Sequence, residues 1–325
     1  MNSDHCFQIQ STCLVVDLDR KIFRVSASWI ITFATYYLLS PALSIAQDHR
    51  AKFEYVVHGG LHFSPTDESL TLDLFVPKTD ASIPCIIVIQ GGGFLGQNGQ
   101  RFRPVAQYIA ENGMAAALTS YRGRPNYTYI ETIADAKAAV RYVRTESKRY
   151  GINAMQIGAM GRSAGGTLAS LLAVTADSPE FQVVEEAPPT SDRIQAAVAF
   201  AGVFDFVARF TDTRQLALQP NHVLKKQTNG EWLDEPFATN AKGWKLASAI
   251  NHLDSSDAPM LLVHCKDDAT VPWLQSQAMH DRMQEKGVVG EVRYFEIGGH
   301  GFKDVNEAGN ELMIEFFRDI FSKQH

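Results

Sequence analysis

Five short, almost uninterrupted apolar runs recur along this chain with helix-like segments between them: Pro84 to Ile89, Ala115 to Ser120, Gln156 to Met160, Ile194 to Ala201 and Pro259 to Val263. A strand that is apolar at consecutive positions must be covered on both faces, so these runs predict the centre of a mostly parallel sheet with helices on either side. Phe53 to Val57 and Ser69 to Val76 alternate instead, with Leu70, Leu72, Leu74 and Val76 on one face, as half-exposed edge strands do. Val292 to Ile297 supplies the last strand. Ile133, Ala136, Val140 and Val143 form one apolar helix face, and Leu312, Met313, Phe316, Phe317 and Ile320 form another. Residues 206–245 break the rhythm. They read as a polar, loop-like insertion with scattered aromatics, Phe210, Trp232, Phe237 and Trp244 among them. With 325 residues, 45% of them hydrophobic, the chain has ample material for a single large α/β core.

Lys and Arg number 30 against 36 Asp and Glu, a net charge of -6, and no element gathers the basic residues on one face. Nucleic acid is therefore excluded as a partner. Near the start, Arg20, Lys21 and Arg24 precede an uncharged run from Val25 to Gln47, and Ser44 and Ala46 supply the small residues of a cleavage site. Residues 1–46 read as an export signal cut after Ala46, which gives a periplasmic or extracellular protein without stable membrane attachment. An uncut run of this length makes a membrane anchor instead. The acidic segment before Arg20 is foreign to such signals and points to a start codon placed too early. Of four cysteines, Cys85 and Cys265 lie within the folded part, each in an apolar run, and read as free buried thiols.

Chemistry concentrates at a few strand ends. Gly161-Arg162-Ser163-Ala164-Gly165 stands where the Gln156 to Met160 run meets a helical segment. A serine at so tight a turn takes a strained backbone, its glycine neighbours prevent a clash, and its hydroxyl is exposed as a nucleophile at a helix N-terminus. Upstream, Gln90-Gly91-Gly92-Gly93-Phe94 follows another strand and frees backbone N–H groups to face inward. Those of Gly92, Gly93 and Ala164 are candidates for an oxyanion hole. His300, flanked by glycines after the last strand, is the candidate general base. Asp267 and Asp268 follow the Met260 to Val263 run, and Asp205 is a further acid. Neither a metal-ligand spacing nor a dinucleotide fingerprint is present, so the chemistry calls for no cofactor.

Together these residues resemble the α/β-hydrolase superfamily, and within it the carboxylesterases with a His-Gly-Gly-Gly oxyanion motif, among them hormone-sensitive-lipase-like esterases and bacterial feruloyl and acetylxylan esterases. Asp135 to Arg144, Tyr150 to Asn153 and His264 to Pro272 extend the likeness over nearly the whole folded chain. The resemblance implies an α/β-hydrolase fold of about eight strands, a catalytic domain over residues 47–325, and a cap-like insertion at 206–245 that helps form the substrate pocket. It places Asp268 at the catalytic acid position. It also implies a serine carboxylic ester hydrolase acting on acetylated or feruloylated polysaccharide or on small esters. Phe94, Arg162, Trp232, Trp244 and Trp273 are the side chains expected to face substrate. Gln90 stands where the motif has histidine, Arg162 where a small or acidic residue is commoner, and Cys265 where a glycine is usual. Arg162 reads as a contact for an anionic substrate group or as a structural cation tied to a carboxylate. A prolyl-peptidase-like enzyme and a binding protein on the same scaffold are the alternative functions.

Overall fold

The computed structural model describes residues 52–65, 67–181 and 190–323; the expected export signal and start site lie outside them. Eight strands form one sheet: β1 (Tyr55–His62), β2 (Thr71–Pro77), β3 (Ile83–Ile89), β4 (Ala115–Thr119), β5 (Ile152–Arg162), β6 (Ala196–Phe200), β7 (Met260–Cys265) and β8 (Gly290–Phe295). Their spatial order is β1-β2-β4-β3-β5-β6-β7-β8. Strand β2 runs antiparallel to both its neighbours and all later pairings are parallel. This is the α/β-hydrolase fold.

Alternate residues of each central strand feed two separate cores. Cys85, Ile87 and Ile89 point to one side and Ile86 and Val88 to the other. The first core is closed by α2 (Tyr129–Glu146) and α3 (Ala164–Val174), the second by α1 (Arg103–Glu111) and α9 (Asn306–Ser322). Double coverage is why these strands are apolar without interruption. The last strand begins and ends earlier than the Val292 to Ile297 run. A side chain at Gly290 would meet the Met283 methyl at 2.0 Å, so the glycine lets β8 start beside Met260, whereas Ile297 is 70% exposed.

One charge cluster lies inside the first core. Lys137 on α2 and Asp192 have fully buried side chains, joined at 2.9 Å, and Arg141 donates to the second Asp192 oxygen. Removing the anion strands two buried cations, so Asp192→Ala is expected to cost about 3–5 kcal/mol, read from denaturant midpoints. A variant as stable as the parent would contradict this.

The insertion differs from its expected loop-like character. It holds four helices, α4 (Ala208–Thr211), α5 (Thr213–Leu218), α6 (His222–Leu233) and α7 (Lys242–Leu246), with α8 (Leu274–Lys286) following β7. Its aromatics point inward: Trp244 packs edge-on against Phe210 and Phe237, and Trp232 donates from its indole to Thr132 Oγ1 at 3.0 Å. These contacts give the insertion a core that a polar sequence pattern conceals.

Candidate active site

Ser163 links β5 to α3 at φ 58° and ψ −124°, a conformation costing about 1–3 kcal/mol that surrounding structure must hold. The flanking glycines explain how. A Cβ at Gly161 would lie 2.2 Å from the Gly165 carbonyl oxygen, and one at Gly165 would lie 2.1 Å from that of Ile89. The Ser163 N–H donates to Phe200 O at 2.8 Å, fastening the turn to the end of β6.

His300 follows β8 in a loop whose Gly298 and Gly299 take positive φ. Its Nε2 lies 2.8 Å from Ser163 Oγ and its Nδ1 2.7 Å from Asp268 Oδ2. Serine, imidazole and carboxylate thus form a continuous hydrogen-bonded chain. The other Asp268 oxygen accepts from the Thr270 and Val271 N–H groups at 2.8 and 3.0 Å. Burial alone would raise the pKa of Asp268, but the neighbouring imidazoles of His264 and His300 outweigh it and hold the carboxyl well below the usual range.

The other two acids are engaged elsewhere. Asp267 is exposed, and its carboxylate accepts from Gly298 N at 3.1 Å and Gly299 N at 2.8 Å, so it fastens the histidine loop. Asp205 accepts from Val207 and Ala208 N–H groups at the start of α4.

The loop after β3 carries Gly92 and Gly93. Among the described residues neither of their N–H groups, nor that of Ala164, donates to a protein acceptor. A pair of glutamines does the holding. Gln90 donates to Gln97 Oε1 and accepts from Arg101 N, while Gln97 donates to Leu95 O at 3.1 Å. Tyr121 adds its hydroxyl to Gln90 O at 2.7 Å.

Several residues expected to face substrate do not. Phe94, Trp232 and Trp244 are at most 2% exposed; Phe94 and Trp232 stack at 3.8 Å, joining the glycine loop to α6. Trp273, half-buried at the start of α8, packs edge-on against Tyr294. Arg162 is partly exposed and meets no carboxylate among the described residues. Its guanidinium sits over the rings of Phe302 and Phe200 at 4.8 and 5.3 Å and donates to Asn306 Oδ1 at 2.7 Å. Arg162→Met is expected to destabilise the fold by about 1–3 kcal/mol, with KM values for anionic and neutral aryl esters keeping their ratio. A KM change confined to the anionic ester would restore a direct substrate contact.

Sequence reasoning passed over Arg124, whose Nε donates to Gly93 O at 2.9 Å and whose Nη1 pairs with Glu231 on α6. Nor does it assign a role to His264, which approaches Asp268 at 3.4 Å. Only the placement of His264 in the acid loop hinted at a part in the site.

The BD-FAE family model, which describes α/β-hydrolase esterases, matches residues 72–283. The chain belongs to the BD-FAE family. Beside that BD-FAE match, the chain is 27% identical over 281 residues to the probable carboxylic ester hydrolase LipM of Mycobacterium tuberculosis, covering 84% of this chain and 63% of LipM. It thus spans less than two thirds of that relative's length. A thermophilic esterase of Thermogutta terrifontis, solved with propionate, superposes with a TM-score of 0.65 at 26% identity over 83% of this chain and 94% of that one. An acetyl ester-xyloside bifunctional hydrolase of Caldicellulosiruptor lactoaceticus gives 0.66 at 25% identity, covering 84% and 98%.

Proposed function

We propose that the protein is a serine carboxylic ester hydrolase working through an acyl-enzyme. The observation that carries this reading is the unbroken contact from Ser163 Oγ through His300 to Asp268. Ser163 attacks the ester carbonyl as His300 Nε2 takes its proton, and Asp268 holds the Nδ1–H tautomer and offsets the imidazolium charge. The unpaired N–H groups of Gly92, Gly93 and Ala164 receive the oxyanion, each such donor being worth about 3–4 kcal/mol of barrier. His300 then protonates the departing alcohol and activates water for deacylation.

Acylated saccharide is the substrate class we favour. A polar cleft of about 510 Å³ adjoins the glycine loop, lined by Thr71, Gln97, Asn98, Arg122, Asn126 and Tyr127. Its two cations are neutralised, Arg122 by Asp135 and Asp67 and Arg124 by Glu231, which leaves amide and hydroxyl groups for a neutral polyol. Export, read from residues 1–46, is part of the same proposal; among the described residues no helix is long and apolar enough to cross a membrane. Purified protein is expected to hydrolyse a short-chain aryl ester and to release acetate or ferulate from acylated xylan. Aryl hydrolysis without release from the polymer would remove the saccharide reading, and inactivity on both would remove the enzyme.

A further inference from the structure

Strand β7 delivers to the site not only the acid but a second imidazole beside it. The side chain of His264 is fully buried, and both ring nitrogens are engaged. Nδ1 lies 2.7 Å from Ser276 Oγ on α8, and Nε2 lies 2.9 Å from the Val271 carbonyl oxygen. The same Nε2 stands 3.4 Å from Asp268 Oδ2, the oxygen that His300 Nδ1 also reaches. A carbonyl oxygen and an ionised carboxylate oxygen only accept, so Nε2 must carry a hydrogen. In the neutral ring Nδ1 then accepts from the Ser276 hydroxyl. The neighbours fix which nitrogen is protonated.

The charged and titratable groups facing Asp268 come from every element around it. They are His300 from the loop after β8, His264 from β7, Arg209 on α4 through its bond to Thr270 O, and Lys225 on α6. Cys265 and Asp267 lie within its electrostatic reach or beside it in the chain. Of these, only the two imidazoles share Oδ2.

We propose that His264 is a positioning residue for this chemistry: its Nε2–H closes the acid loop on Val271 and leans on Asp268 Oδ2, aiming that oxygen at His300 and drawing off part of its charge. The inference rests on Asp268 being the orienting acid. One consequence separates it from plain loop support. Without this donor the carboxylate attracts the His300 imidazolium more strongly, so His300 gives up its proton at higher pH. The active enzyme needs neutral His300, and the acid limb of kcat/KM therefore moves upward.

His264→Phe keeps a flat ring without the donor, whereas His264→Gln restores an N–H near the Nε2 position. His264→Phe is expected to lower kcat about tenfold, the scale seen when outer partners orienting a reactive group are lost at metal sites, with KM little changed and the acid limb displaced to higher pH. His264→Gln is expected to recover most of the rate and the parental limb. A His264→Phe limb that overlays the parent overturns the proposal, as does His264→Gln failing alongside it with the parental limb. Should the Phe variant not fold, nitrogen NMR of the unmutated protein decides: a protonated His264 Nε2 supports the inference and an unprotonated one overturns it. An active Asp268→Asn enzyme would remove the underlying reading, whereas an inactive one beside an unshifted His264→Phe profile removes only the role of His264.

Discussion

Ser163→Ala is expected to lower kcat on a short-chain aryl ester by about six orders of magnitude, the loss that follows when one member of a triad acting as a unit is removed. The expectation follows from position. Ser163 Oγ is the group His300 Nε2 contacts, and the turn that presents it is set by backbone packing at Gly161 and Gly165, not by the hydroxyl. The variant should therefore fold with a similar thermal midpoint and keep its affinity for ester. Hydrolysis that survives at the parental rate in a folded Ser163→Ala protein would require another nucleophile.

Asp268→Asn is expected to cost about 10⁴-fold in kcat with the geometry intact. Thr270 and Val271 donate to Oδ1, so the amide oxygen of the new residue takes that place and its NH₂ group faces His300 and His264. A donor then meets His300 Nδ1, which must accept, and the hydrogen moves to Nε2. That tautomer cannot take the Ser163 proton. Because Asp268 is held well below the usual carboxylate range, it stays ionised throughout the working pH range. Asp267→Asn loosens the Gly298 and Gly299 contacts without touching the imidazole and should cost about tenfold or less, the scale of one or two neutral hydrogen bonds. Asp205→Asn should leave the rate near the parental value, since Asp205 serves the start of α4. A near-parental Asp268→Asn enzyme would move the acid elsewhere.

The sheet was legible because its chemistry is repetitive. Strands covered on both sides write themselves as continuous apolar runs, and all eight strands lie at or beside the expected segments. The insertion was not legible in the same way. Helices as short as Ala208–Thr211 and Lys242–Leu246 offer too few residues for a period of 3.6 to show, and their core is built from a few large rings, Trp232 and Trp244 above all. Those rings looked available for a ligand because sequence records their size, not the direction they face.

At the site, the glycine spacing around Ser163 was readable since close backbone approach leaves glycine as the residue that fits. The choice between Asp267 and Asp268 was not readable from the residues themselves. Two adjacent carboxylates on one loop are told apart by their partners, the Thr270 and Val271 N–H groups that turn Asp268 inward and the Gly298 and Gly299 N–H groups that hold Asp267. Arg162 was hidden for a related reason: Phe200 and Phe302, which flank its charge, come from the end of β6 and from the loop after His300, far apart in the chain. His264 was passed over because a buried histidine in a strand is ordinary until the atom beside it is known.

The central claim is that one hydroxyl carries the acyl group, and covalent capture tests it most directly. The protein is treated with a fluorophosphonate, digested, and mapped by mass spectrometry, in parallel with Ser163→Ala and His300→Ala. One adduct is expected, on the peptide containing Ser163, formed quickly in the parent, slowly without His300 and not at all without Ser163. Inactivation accompanied by an adduct on a different residue, or esterase activity that persists with Ser163 fully modified, would contradict the account.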